Sequence, residues 1–257
     1  MELVDSHCHL DLPAFDSDRD AILARCSEIG IKSIIVPGIT RAGWDNLLSL
    51  CSRHSDMLYP ALGLHPWFLS KQKEAELSEL AEQLQRSHPV AVGEIGLDYY
   101  LPHQNRALQL NFFETQLDIA EDAGLPVILH VRKAHDTVLG CLRRRQLKGG
   151  VAHAFNGSLQ QAEQYISLGF KLGFGGAVTY PGARKLRRLA QQLPLNALLL
   201  ETDAPDMAPA DHHGERNRPD HLPEILHTLA HLRDENPATI ATRTTANARE
   251  LFALDRK

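Results

Sequence analysis

Val127-Ile128-Leu129-His130 and Leu198-Leu199-Leu200-Glu201-Thr202-Asp203 decide how this chain reads. Each begins with three apolar residues in unbroken succession and ends in residues that can bind a proton or a metal. A strand with one wet face would alternate apolar and polar residues. An uninterrupted apolar run suits a parallel sheet covered on both faces. Working outward, further short runs of this kind predict eight strands: Leu3–His7, Ser33–Val36, Leu58–Gly63, Val90–Glu94, Val127–His130, Val151–His153, Lys171–Phe174 and Leu198–Thr202. Helical patterns lie between them. Ser17 is expected to cap a helix with Ile22, Cys26 and Ile29 on its apolar face and Gly30 as its stop. Leu110, Phe113, Leu117 and Ala120 repeat at helical spacing, ended by Gly124 and Pro126. Eight strand–helix units in 257 residues match a TIM (β/α)8 barrel. The rival, an open doubly wound sheet, lacks its GxGxxG after the first strand. No repeat or composition break divides the chain, so residues 1–257 read as one domain. Asp206–Pro223 reads as a long polar loop after the eighth strand.

Composition narrows the class. With 43% hydrophobic and 23% charged residues, the chain is an ordinary globular protein and not disordered, collagen-like or coiled coil. Met1–Asp5 has neither a basic nor a long apolar segment, and no run approaches the roughly 18 residues of a membrane span. Cys8, Cys26, Cys51 and Cys141 form no CxxC pair, so reduced thiols and a cytoplasmic location are expected. The net charge of −5 argues against a protein that clamps duplex DNA. Two basic clusters, Arg143-Arg144-Arg145 and Arg184-Lys185 with Arg187-Arg188, read as solvated helix faces. Histidine is abundant, at fourteen residues.

Chemistry in such a barrel sits at the carboxyl ends of the strands. His7 and His9, His65, Glu94, His130, His153, and Glu201 with Asp203 all fall there. His7 and His9, two apart in extended chain, turn both imidazoles to one side and Cys8 to the other. They form half of a divalent-metal site. His130 and His153 supply a second pair from neighbouring strands. Glu94 can reach between them with two oxygens, the way a carboxylate holds two cations roughly 3.5–4 Å apart. Asp203 joins the His7/His9 side once the barrel closes. Singly, each residue has a bland explanation: a hydrogen-bonded histidine, an ion pair for Glu94, a helix cap for Asp203. Together, buried without cations, they would leave charge unpaired.

The motifs are more specific than the pattern. Asp5-Ser6-His7-Cys8-His9-Leu10-Asp11, Gly93-Glu94-Ile95-Gly96-Leu97-Asp98-Tyr99-Tyr100, His130-Val131-Arg132, His153-Ala154-Phe155-Asn156-Gly157 and Glu201-Thr202-Asp203-Ala204-Pro205 resemble the TatD family of metal-dependent hydrolases and DNases. The blocks stand in family order along nearly the whole chain. The resemblance implies a TIM-barrel hydrolase of phosphodiester bonds with two cations (Zn, Mn or Mg). His7, His9 and Asp203 would hold one cation, His130 and His153 the other, and Glu94 both. Arg216-Asn217-Arg218-Pro219 matches the family's Arg-Asn-x-Pro. Asp206 and Met207 depart from it, standing where an apolar or aromatic residue is expected after Pro205.

Such an enzyme needs a water made acidic near neutrality and an offset for charge on the leaving oxygen. Asp203 and Glu94 are the expected catalytic residues, with Asp203 orienting the attacking water. His65 and Arg132 are candidates for the phosphate oxygens, since a guanidinium fork suits phosphate. Glu201, Asp5 and Asp98 are candidates to accept the spare N–H of a ligand histidine, Asp5 and Glu201 from inside the barrel and Asp98 from the loop after the fourth strand. Tyr99 and Tyr100 read as loop packing, with stacking on a base as the alternative. The expected substrate is nucleic acid, single-stranded DNA foremost, or a small phosphodiester, met by a monomer. The rivals are an amidohydrolase, lactonase or ester deacylase, and a non-enzymatic metal-binding protein. The first commonly bridges its metals with a carbamylated lysine, and here that position holds Glu94, with Lys133 beyond His130. Two dications would add four positive charges where an anion must bind, so a net charge of −5 does not exclude a nuclease.

Overall fold

A computed structural model of the chain describes residues 1–100 and 105–254, so His103 lies outside them. All eight expected strands form: β1 Leu3–Asp5, β2 Ile31–Pro37, β3 Leu58–Leu62, β4 Ala91–Asp98, β5 Val127–Arg132, β6 Gly150–Ala152, β7 Phe170–Phe174 and β8 Leu198–Leu200. They pair in parallel and in sequence order from β1 to β8. Ser6 N–H donates to the Leu200 carbonyl (3.0 Å), which joins β8 back to β1. Helices alternate with the strands: α1 Arg19–Glu28, α2 Trp44–Arg53, α3 Ala75–Ser87, α4 Arg106–Ala123, α5 His135–Leu142, α6 Leu159–Ser167, α7 Arg184–Gln192, α8 Leu222–Arg233 and α9 Pro237–Phe252. The TIM barrel expected from the eight runs is the fold.

Alternation along the strands makes two cores. Val4, Ile35, Ala61, Ala91, Ile128, Val151 and Leu199 fill the barrel interior, where Ala248 and Phe252 of α9 and then Leu254 close its amino end. Their neighbours on the other face, such as Leu3, Ile34, Leu129 and Leu198, pack outward against Ile22, Leu47, Phe113 and Leu117 of the helices. A fully buried side chain of this size contributes roughly 1.5–3 kcal/mol, so this doubly covered sheet is the main source of stability.

Two local readings need correction. Ser17 does not cap α1: the helix begins at Arg19 after Asp18, whose carboxylate takes the Arg216 guanidinium instead of a backbone N–H. The loop after β8 is shorter than read and ends at His221, because Pro223 sits in the first turn of α8, where a missing N–H costs nothing. The α4 reading holds, with Phe113, Leu117 and Ala120 buried and Gly124 at φ 60° as its left-handed stop.

Candidate metal centre at the carboxyl rim

The strands carry their polar residues to one rim. Ile128 points into the barrel, so His130, two residues on within β5, does the same one layer higher. His153 and Glu201 directly follow the ends of β6 and β8 and turn to the same rim, His153 Nε2 lying 2.8 Å from Glu94 Oε1 and His153 Nδ1 3.7 Å from Glu201 Oε1. Space at the rim comes from glycine. A Cβ on Gly173 would lie 2.0 Å from Glu201 Oε2, and one on Gly96, at φ +150°, would lie 1.9 Å from the His130 carbonyl. Glu94 is 2% exposed where the β4–β5 register breaks between Val92 and Ile95, its N–H donating to the Gly38 carbonyl (2.9 Å). Asp203 stands beside β1 because its N–H donates to the His7 carbonyl (2.8 Å). Its φ of 59° is a region that a non-glycine residue adopts only when its surroundings hold it there.

The six expected ligands converge. Glu94 Oε2 lies 3.3 Å from His7 Nε2 and 3.4 Å from His9 Nε2. The two imidazole nitrogens are 3.2 Å apart, and Asp203 Oδ1 is 3.5 and 3.7 Å from them. The other oxygen, Glu94 Oε1, lies 3.2 Å from His130 Nδ1 and 2.8 Å from His153 Nε2, themselves 3.5 Å apart. Four donors at about 2.1 Å from one ion stand about 3.4 Å from each other in a tetrahedron. The His7–His9–Glu94–Asp203 set matches that spacing, and the His130–His153–Glu94 set is a partial version of it. The donor set therefore fits divalent cations on both sides of Glu94.

Hydrogen bonds fix which nitrogen three of the rings present. His9 Nδ1–H donates to the Pro37 carbonyl (3.2 Å), which leaves the Nε2 lone pair toward Glu94. His130 Nε2–H donates to Asp98 Oδ2 (3.1 Å), which leaves Nδ1 toward Glu94. His65 is the opposite case. Its Nδ1 accepts from Trp67 N–H (3.1 Å), so the neutral ring carries its proton on Nε2, 3.3 Å from Glu94 Oε1. His65 thus offers a donor rather than a lone pair, suited to an oxygen anion and not to a metal. Burial, against the pull of Glu94, lowers His65 to about 4, which keeps the ring neutral. Burial works to raise Glu94, but the histidines around it hold it well below the usual carboxylate range. Burial raises Asp203 to about 6 despite His153 and His9.

The supporting carboxylates divide. Asp98 accepts His130 Nε2–H from the last residue of β4 rather than from a loop. Glu201 accepts Ala154 N–H (2.5 Å) and stands 3.7 Å from His153 Nδ1. Asp5 is misread from sequence. It shares the outward face of Leu3, because β1 ends at Asp5 and period-two counting back from His7 fails there. It holds Thr202 Oγ1 (2.6 Å) and the His7 and Thr202 backbone N–H groups (3.2 and 3.0 Å), and so ties β1 to β8 below the ligands.

Above the ligands opens a cleft of about 590 Å³. Arg132 lines it and stacks on the exposed Tyr100 ring, 3.8 Å from guanidinium carbon to centroid. Among the described residues Arg132 has no carboxylate partner, so its donors remain available. Tyr99 packs against the core under Arg106. Lys133 lines a separate surface depression with Ala134 and His135, away from the cleft, which removes the lysine that an amidohydrolase bridge would need. Trp67 and Leu186 line the cleft although no sequence motif marks them, and Asn156 joins them from the His153–Gly157 motif. Gln109 and Gln116 also support the site without belonging to any of the motifs. From α4 they bind both backbone groups of Asp98 (2.8 and 3.0 Å) and of Leu64 (2.7 and 3.1 Å), which sets the ends of two strands. Their spacing of seven on a buried helix face was the available signal. Asn217 holds the β8 loop through the Thr202 and Asp206 carbonyls (2.8 and 2.7 Å), so the Arg-Asn-x-Pro run acts as a brace.

Comparison with known proteins identifies the family. The family model described as TatD related DNase matches residues 4–253. The metal-dependent hydrolase YjjV of Escherichia coli K12 is 42% identical over 252 residues, 97% of each chain. The 3'-5' ssDNA/RNA exonuclease TatD of Erwinia tasmaniensis is 33% identical over 262 residues, covering 98% of this chain and 100% of that one. The crystal structure of E. coli YjjV superposes with a TM-score of 0.94 over 98% of both chains. No helix among the described residues is long and apolar enough to cross a membrane. A chain matched from end to end by this family model, with eight parallel strands bringing its histidines and carboxylates to one rim, belongs to the TatD family of metal-dependent hydrolases.

Proposed function

We propose that this protein hydrolyses phosphodiester bonds of nucleic acid, single-stranded DNA foremost, with two divalent cations, as a cytoplasmic monomer. One observation carries the reading: the two oxygens of buried Glu94 each face a different histidine pair, at 2.8–3.4 Å. The exonuclease name of the Erwinia relative, 33% identical, supports nucleic acid as the substrate class. Four buried free thiols fit a reducing compartment.

His7, His9, Asp203 and Glu94 would hold one cation, and Glu94, His130 and His153 the other. A histidine-rich set suits Zn²⁺ or Mn²⁺ better than Mg²⁺. Bound there, the cations would acidify a water nucleophile and neutralise charge on the phosphodiester and its leaving oxygen. The remaining roles fall to this chain's own groups. The Asp203 carboxylate accepts the proton of the attacking water, at a position that the Asp203–His7 backbone bond fixes. His65 Nε2–H and the Arg132 fork donate to the non-bridging phosphate oxygens. Asp98 holds the His130 tautomer, and Glu201 steadies the His153 strand end through Ala154 N–H.

The test is purified protein loaded with Mn²⁺ or Zn²⁺ and offered single-stranded DNA, bis-p-nitrophenyl phosphate and a panel of lactones. Turnover of the first two and not the lactones is expected. Lactone hydrolysis without diester hydrolysis would overturn the reading in favour of the carbonyl-directed branch. Inactivity on all three would favour a metal-binding protein.

A further inference from the structure

Helix α4 buries two glutamines, Gln109 and Gln116, each 1% exposed. Glutamine is rarely buried so completely, and an amide taken out of water costs free energy unless its polar atoms are bonded. Here both amides bind backbone. Gln109 Oε1 accepts the Asp98 N–H (2.8 Å), and its Nε2–H donates to the Asp98 carbonyl (3.0 Å). Gln116 Oε1 accepts the Leu64 N–H (2.7 Å), and its Nε2–H donates to the Leu64 carbonyl (3.1 Å). The ladder between β3 and β4 pairs Ala61 and Leu62 with Ala91 and Val92. Beyond it, the two amides stand in for a neighbouring strand, one device used twice at a spacing of two helical turns.

What each amide holds is different. The Asp98 carbonyl that Gln109 grips shares a peptide with the Tyr99 N–H, which donates to the Arg132 carbonyl (2.9 Å). The Asp98 carboxylate is fixed as well, Oδ1 accepting the Tyr100 N–H (3.0 Å) and Oδ2 the His130 Nε2–H (3.1 Å). Gln109 therefore sets the origin from which Asp98 reaches His130, and with it the His130 Nδ1 that faces Glu94. The Leu64 carbonyl that Gln116 grips shares a peptide with the His65 N–H, which donates to the Ile39 carbonyl (3.0 Å). That peptide is held on both edges, and the His65 ring leaves from it with Nδ1 taken by the Trp67 N–H. Apolar side chains would pack α4 on the sheet without the cost of two buried amides. The bonds that offset this cost fall behind one candidate cation ligand and behind one candidate phosphate donor.

Resting on the two-cation reading of the rim, we propose that the two glutamines are positioning residues with different targets: Gln109 sets the affinity for the cation held by His130, and Gln116 sets the aim of the His65 Nε2–H at the phosphate oxygens. Neither side chain touches cation or substrate. Each acts through the backbone unit that it grips.

The test loads wild type, Gln109→Met and Gln116→Met with Mn²⁺ and measures cation binding by chelator competition and kcat/KM for bis-p-nitrophenyl phosphate. Methionine is as unbranched as glutamine and offers no amide. Gln109→Met should weaken one of the two cation equivalents about tenfold, and excess Mn²⁺ should restore its kcat/KM. Gln116→Met should bind both equivalents as wild type does and lose about ten- to a hundredfold in kcat/KM, which excess Mn²⁺ does not restore. Equal losses in both variants and both readouts, in step with a lowered melting temperature, overturn the proposal, and so does no loss in either. If a methionine variant does not fold, alanine at that position leaves room for water against the backbone groups. It should show the same division, and its failure to do so overturns the proposal equally. A wild type that binds a single equivalent overturns the two-cation reading and the Gln109 role with it. Two equivalents in the wild type leave that reading standing whatever the variants show.

Discussion

At the amino end of the barrel, Val4, Ile35, Ile128, Val151 and Leu199 close on Phe252 and Leu254. At the carboxyl end, two residues after Ile128, Val151 and Leu199, stand His130, His153 and Glu201. The same eight strands frame both ends, and only the side chains differ. One end removes apolar surface from water and holds the fold. The other gathers buried nitrogen and carboxylate donors whose charges are offset only by each other. Such a cluster weakens a fold unless something binds there. The comparison predicts that damage at the rim reads out as lost chemistry and damage at the plug as lost stability, with little crossover.

The largest effect should come from the rim. Asp203→Asn keeps the size of the side chain but cannot take a proton, so kcat on a phosphodiester should fall by about 10²–10⁴ with the thermal melt little changed. Near-normal turnover would end the role given to Asp203. At the other end, Phe252→Ala empties the plug and should cost about 3–5 kcal/mol in urea unfolding, with kcat per folded molecule preserved. A variant that lost activity while keeping its stability would show that the two ends are coupled. Asp98→Asn sharpens the comparison, because it touches no substrate. Loss of the carboxylate behind His130 should weaken cation binding about 10–100-fold, read by competition with a chelator.

The smallest effect concerns a histidine outside the rim. His135 is buried in α5, its ring nitrogens 3.1 Å from Asn156 Oδ1 and 3.3 Å from the Tyr165 hydroxyl, and burial lowers its pKa. Its folded pKa lies below the unfolded one, so the unfolded chain takes up the proton first. Stability from this group is therefore full above the ordinary histidine value and falls as pH drops below it. Denaturation of wild type and His135→Gln at neutral and mildly acidic pH should show a steeper acid loss in the wild type. Equal slopes would refute the assignment.

How much of this was legible in the sequence follows from what each element obeys. The strands were readable because burial on both faces enforces apolar runs, and the gathering of His7, His9, Glu94, His130, His153 and Asp203 because a parallel barrel brings the carboxyl ends of all its strands to one rim. Asp5 was misplaced because β1 stops at that residue, and period two has no force beyond a strand. Gln109 and Gln116 escaped because their partners, the backbones of Asp98 and Leu64, are brought near only by the closed barrel. Ser17 failed as a cap because Asp18 is engaged by Arg216, nearly two hundred residues away, a contact that no local pattern encodes. The tautomer of His65, which separates it from the metal ligands, depends on one hydrogen bond from Trp67 N–H.

The central claim is that Glu94 lies between two cations, and metal content tests it most directly. Elemental analysis of the purified, metal-loaded protein should give two equivalents per chain, and Glu94→Ala, with an unchanged circular dichroism spectrum, should lose at least one. Two equivalents retained in that variant would contradict the account.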